Sequence, residues 1–150
     1  MSENPFEGVL AHTKNENGKR DLLANHLEEV ASLAKSFAEK FSCGALAFWL
    51  GFLHDIGKIN PRFQSYLSAM EEGRSYPKIP HAVWGAAFFY DLLWHRKKED
   101  SWIEFCLPVY GHHAGLQAPD LASQKFSQFL KEDPSVLPLI ASRWSNLRQH

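Results

Sequence analysis

The sequence predicts an all-α protein with a bulky apolar core, and three patterns carry that reading. Apolar and partly apolar residues at 26, 30, 33, 34, 37, 38 and 41 recur at spacings of three and four, which is one face of an amphipathic helix. Two segments, about 45–56 and 81–95, are apolar on most faces, as helices enclosed by other helices are. Nothing in the chain reads convincingly as the alternating run of a half-buried strand.

Taken in order, the first helix covers 22–41 and carries His26 on its inward face. The second, over 45–56, is apolar nearly all round and should be the central, buried one, ending at Gly57 and the Asn60-Pro61 pair. Pro61 suits the first position of the third helix, which runs through Tyr66 to about Glu72, and "GRSYPKIP" is a loop. The fourth helix carries "HAVWGAAFFYDLLW", and a fifth covers about 102–113 with a kink at Pro108. The loop "AGLQAPD" leads to Asp120 as an N-cap, and helices over about 120–131 and 134–147 complete the chain.

A chain of 150 residues without repeats, low-complexity segments or composition shifts reads as one domain over 1–150. Such a domain can bury about two thirds of the surface its unfolded chain exposes. Cys43 and Cys106 lack metal-ligand spacing and stand in apolar contexts, so they read as reduced thiols in a cytoplasmic protein's core. The N-terminus shows no signal or transit pattern, and the longest apolar run, 45–53, falls short of the roughly 20 residues that span a bilayer. A net charge of −1 excludes a global basic field, although Lys14, Lys19 and Arg20, Lys58 and Arg62, and Arg96, Lys97 and Lys98 form local groups.

Five of the eight histidines, His26, His54, His81, His112 and His113, stand on or at the end of apolar helices, and Asp55 follows His54 directly. Neutral imidazole is the commonest metal ligand, and a buried cluster of imidazoles needs a shared cation or a set of acceptors. Asp55 is the natural bridge between two ions, because a carboxylate has two oxygens while each imidazole offers one nitrogen to one ion. Lys58, four residues after His54 and three after Asp55, lies over the same face. Its ammonium can meet an anion held there, or serve as a cation near a helix C-terminus.

The segments "HLEEVASLAKSFA", "LHDIGK", Phe63-Gln64, His81 followed by Gly85, and "HHAGL" together resemble the CRISPR-associated HD nuclease, the metal-dependent nuclease module of the type I CRISPR helicase-nuclease. The resemblance covers about 11–116. "HDIGK" is shared with other HD phosphohydrolases, whereas "NPRFQSYL" and "GHHAGL" discriminate, and the Gly-Tyr-Pro signature of cyclic-dinucleotide phosphodiesterases does not follow His113. The resemblance implies an HD-domain helical bundle in which the buried central helix carries the His-Asp dyad. His26, His54 and Asp55 match the ligands of a first metal; Asp55, His81, His112 and His113 match those of a second. Lys58 matches a basic residue beside the metals and, with Asp55, a catalytic one. His12 matches a recurrent histidine near the start of the family's domain, behind the ligands or facing substrate, and Arg62 and Gln64 fall on the substrate side.

The family also supplies an Asp to the first metal from a later helix. Asp120 and Asp133 stand in the wrong context for it, so the sequence predicts an incomplete first site, in a fragment of a longer protein or in a reduced member. The imidazole-rich set favours one or two Mn, Fe, Co or Ni ions over Mg or Ca. Implied partners are single-stranded DNA, a fused or separate helicase and an RNA-guided surveillance complex, with hydrolysis of phosphodiester bonds in CRISPR interference as the activity. The rival readings are an HD phosphohydrolase acting on nucleotides, which needs a closed pocket for base and sugar, and a degenerate HD interaction module.

Overall fold

A computed structural model describes residues 6–113 and 115–147. Seven helices dominate it: α1 (Leu23–Ala38), α2 (Gly44–Leu53), α3 (Pro61–Glu71), α4 (Ala82–Tyr90), α5 (Trp102–Gly111), α6 (Pro119–Glu132) and α7 (Val136–Leu147). A 3-10 turn, Ile56–Ile59, links α2 to α3, and a π-helical turn, Asp91–Lys97, extends α4. The all-α class is as the sequence predicts. No helix among the described residues is long and apolar enough to cross a membrane.

The helix starts follow local chemistry. Asn60 caps α3 by accepting a hydrogen bond from the Arg62 N–H, and Pro61, whose missing N–H costs nothing at that position, opens the helix. In α6 Ala118 is the N-cap and Pro119 takes the first turn, so Asp120 is not the cap that the sequence suggests. Proline's fixed φ starts the helix one residue early, and Asp120 instead stands in the first turn, where the helix dipole favours an acid.

One apolar cluster runs from Phe6 to Ile140 and includes Leu23, Leu27, Leu53, Ile56, Phe126 and Ile140 at 0–3% exposure. The helix enclosed on every side is α4, buried at all nine positions, whereas α2 is buried at Gly44 and at its C-terminal end, Gly51 to Leu53. The dyad therefore leaves α2 where that helix enters the core. α1 turns Leu23, Leu27 and Ala31 inward and leaves Leu33 and Phe37 at 55% and 63% exposure, and Phe41, in the 3-10 turn Glu39–Phe41 that follows it, is 73% exposed, contrary to the face predicted through 33, 37 and 41. The cause is the close crossing of α2 over Ala31: a Cβ on Gly51 would lie 2.9 Å from Ala31 Cα. Gly57 does the same for α4, because a Cβ there would fall inside contact distance of His81 O. These two glycines draw α1, the dyad and the start of α4 to one point. Cys106 is buried as expected, but Cys43 is exposed, in the turn before α2.

The sequence hides one element. Leu10–His12 (β1) and Asp21–Leu22 (β2) form a small antiparallel ribbon in which His12 pairs with Asp21. With three and two residues, the strands are too short to show alternation.

Candidate metal centre

Helix ends build the site. His54 is the C-cap of α2, His81 the N-cap of α4 and His112 the C-cap of α5, with His113 next in the chain; His26 stands in the first turns of α1. Between them lies Asp55, 4% exposed, on the turn after α2. Its Oδ2 is 3.0 Å from His26 Nε2, 3.2 Å from His54 Nε2 and 2.7 Å from the Lys58 ammonium. Its Oδ1 is 3.0 Å from His81 Nε2 and 3.4 Å from His112 Nε2. His81 and His113 bring their Nε2 atoms within 2.9 Å, and His26 and His54 within 3.3 Å.

Proton positions follow from the outer nitrogens. A carbonyl oxygen only accepts, so His54 Nδ1 must donate to Gly51 O at 2.5 Å and His112 Nδ1 to Val109 O at 2.7 Å. In the neutral rings the Nε2 lone pairs then point at carboxylate lone pairs, an arrangement that repels unless a cation or a proton stands between them. Asp55 Oδ1 is buried without a hydrogen bond, since the nearby imidazoles lie off hydrogen-bond geometry. A buried oxygen left in this way costs about 1–3 kcal/mol, and more when charged.

Electrostatics agree. Burial pushes the Asp55 carboxyl upward, but His112, His26, His54 and His81 outweigh it and hold the group far below the usual carboxylate range, so it is ionised. Burial likewise lowers His112, yet its contact with Asp55 and the Val109 carbonyl raise it above its ordinary value. Burial, then the electrostatic influence of the neighbouring His112 and His81, lowers His113.

These residues fit divalent ions. Donors 3.0–3.3 Å apart on the Oδ2 side match the spacing of adjacent ligands held about 2.0–2.1 Å from one ion. Asp55, His81, His112 and His113 form one potential metal cluster, and His12, His26 and Asp55 form another. The amino-acid sequence matches the model of a family described as "Cas3, HD domain" over residues 11–150. The chain belongs to the Cas3 HD-domain family. That family is one of CRISPR-associated, HD-type, metal-dependent nucleases, and the match continues through α6 and α7, past the stretch whose motifs carry the resemblance. No curated protein matches the chain.

Within this Cas3 HD domain the sequence-derived residues sort as follows. Asp55, His26, His54, His81, His112 and His113 converge. Lys58 converges too, but it is 4% exposed and bonded to Asp55 and, at 3.2 Å, to His12 Nε2, and does not stand outside the histidine cluster. His12 is closer to the centre than the sequence suggests, because the β1–β2 ribbon folds it over His26, their ring centroids 4.9 Å apart. Gln64 has another task from the substrate contact expected of it: its amide accepts from Leu10 N and donates to Leu10 O and Lys58 O, tying β1 to the turn that bears Lys58. Arg62 is exposed on the first turn of α3, outside the groove described below. Sequence reasoning missed Asp21, whose Oδ2 is 3.0 Å from His12 Nδ1 and 3.7 Å from His26 Nδ1. An acid five residues before an inward histidine, at a helix start, was the available signal.

A groove of about 630 Å³ opens on the centre, with His12, Lys58, His81 and His113 at its inner end and Lys14, Tyr66 and Lys78 along its length. A second cleft of about 640 Å³, between the π-helical turn and α6–α7, lies away from the histidine cluster, and its Asp91 pairs with Arg96 at 2.8 Å.

Proposed function

We propose that this chain hydrolyses phosphodiester bonds of single-stranded DNA with one or two divalent ions, Mn, Fe, Co or Ni in preference to Mg or Ca. The observation that carries the reading is one ionised, buried carboxylate whose two oxygens each face a separate set of imidazoles, at the inner end of an open groove. In this reading His26, His54 and Asp55 Oδ2 hold one ion, and Asp55 Oδ1, His81, His112 and His113 the other. Ions bound there would supply Lewis acidity and lower the pKa of water.

The protein's own contribution is position and charge. Gly51 O and Val109 O hold two imidazoles in the tautomer that offers Nε2 inward. Lys58, on the groove wall, supplies an ammonium for charge developing on the phosphoryl oxygens. Lys14 and Lys78 attract the phosphate backbone, and Tyr66, half-buried, offers a ring on which a base can stack. An open groove suits a polymer better than the nucleotide of an HD phosphohydrolase, which needs an enclosed pocket. Family membership supports a role in CRISPR interference beside a fused or separate helicase and an RNA-guided complex. The test is cleavage of a labelled single strand with Mn²⁺, Co²⁺ or Ni²⁺, run beside a nucleotide panel. Strand cleavage that chelator abolishes is expected; release of phosphate from nucleotides with intact DNA would overturn the reading.

A further inference from the structure

The Oδ2 side of the centre holds a group that the ligand set above leaves out. His12 Nδ1 lies 3.0 Å from Asp21 Oδ2, and its Nε2 points inward to accept from Lys58 Nζ at 3.2 Å. This is the arrangement of His54 and His112: the outer nitrogen donates its proton to a fixed oxygen, and the inner lone pair is turned toward the Asp55 region. A carboxylate behind the ring is one of the usual anchors of a metal-bound histidine. His12 Nε2, His26 and Asp55 lie close enough together to share one ion. The atom now between His12 Nε2 and Asp55 Oδ2 is the Lys58 ammonium, 3.2 Å from one and 2.7 Å from the other.

We propose that His12, anchored by Asp21, is a fourth protein ligand of the Oδ2-side ion, and that the Lys58 ammonium holds that position and competes with the ion for it. The proposal rests on the metal-dependent reading given above. It gives the Oδ2 side four ligands, where the sequence predicts three, and turns Lys58 outward toward the groove only when an ion displaces it. Charge explains the competition: a monovalent ammonium and a divalent ion claim the same carboxylate oxygen and the same imidazole lone pair, and both cannot contact them at once.

The experiment is titration of the full chain with Co²⁺, followed by calorimetry and by visible absorption, which reports the nitrogen ligands around each ion. Wild type should bind two equivalents. His12→Ala should weaken the weaker equivalent at least about 10-fold, change its absorption and leave the stronger one unaltered. Asp21→Asn, which keeps the shape, should act in the same direction with a smaller effect. Lys58→Met, which keeps most of the volume, should tighten the weaker equivalent. His12 is half exposed on a short ribbon, so its loss should leave the melting temperature close to wild type. Two unaltered equivalents in His12→Ala would overturn the ligand assignment alone, and so would a wild type that binds a single ion. Unchanged or weaker binding in Lys58→Met would overturn the competition. A wild type that binds no ion would remove the metal-dependent reading as well.

Discussion

The two oxygens of Asp55 live in different surroundings. Oδ2 meets an ammonium at 2.7 Å, and a second carboxylate, Asp21, stands behind the imidazoles on that side. Oδ1 has His81 and His112 around it, with His113 in the same cluster, and among the described residues no lysine or arginine and no hydrogen bond. The Oδ2 side is thus electrically satisfied by the chain itself, whereas the Oδ1 side has no cation among the described residues and is suited to one from outside. An ion entering at Oδ1 relieves an unmet oxygen and displaces no side chain; one entering at Oδ2 must displace Lys58. Ligand count alone therefore does not rank the two positions, and the Oδ1 side should bind first and more tightly.

The largest effect is expected from removing what both sides share. Asp55→Ala should abolish binding at both positions and reduce strand cleavage to background, while far-ultraviolet circular dichroism keeps its helical signature. Near-normal cleavage by the folded variant would break the comparison at its root. Gly57→Ala separates the sides instead. Its new Cβ collides with His81 O and pushes the start of α4 away from the dyad, so the Oδ1-side ion should be lost and stability should fall by about 1–3 kcal/mol. Calorimetric titration and a urea melt check both, and retention of the tighter ion would show that His81 does not depend on that packing.

Lys58→Ala should lower turnover about 100-fold while metal content holds or rises, because the ammonium acts on the phosphate and not as a ligand. Parallel loss of metal and activity in elemental analysis and single-turnover kinetics would assign Lys58 to holding the site together. The smallest effect is on pH. Asp55 raises His112, so below that raised value the ring carries a proton that an ion must expel. Affinity on the Oδ1 side should therefore rise with pH and level off once His112 is neutral. Calorimetry in buffers of different ionisation enthalpy checks it: proton release should fall towards zero as pH rises past that point.

The helices and the convergence of five histidines on one carboxylate were legible because each histidine sits on or at the end of an apolar helix, and helix ends are marked by local chemistry such as Asn60-Pro61. What depended on distant pairing was not. His12 and Asp21 become neighbours through a two-stranded ribbon of five residues, whose register no periodicity records. Gln64 reads as a substrate residue with the family motif that contains it, yet the backbone of Leu10, which it clamps, belongs to β1, 54 residues away. The exposure of Leu33 and Phe37 was hidden for a similar reason: a helix shows its apolar residues in sequence, but only the crossing at Gly51 decides which of them turn inward.

The chain's own lysine satisfies one side of Asp55, and nothing among the described residues satisfies the other. Crystals of the protein soaked in graded Mn²⁺, with anomalous scattering used to locate and weigh each ion, test it directly. At low Mn²⁺ a single ion should stand among Asp55 Oδ1, His81, His112 and His113, with a second near Oδ2 only at higher concentration and with Lys58 moved off the carboxylate. An ion that fills the Oδ2 side first, or fills it while Lys58 stays bound to Asp55, would contradict the account.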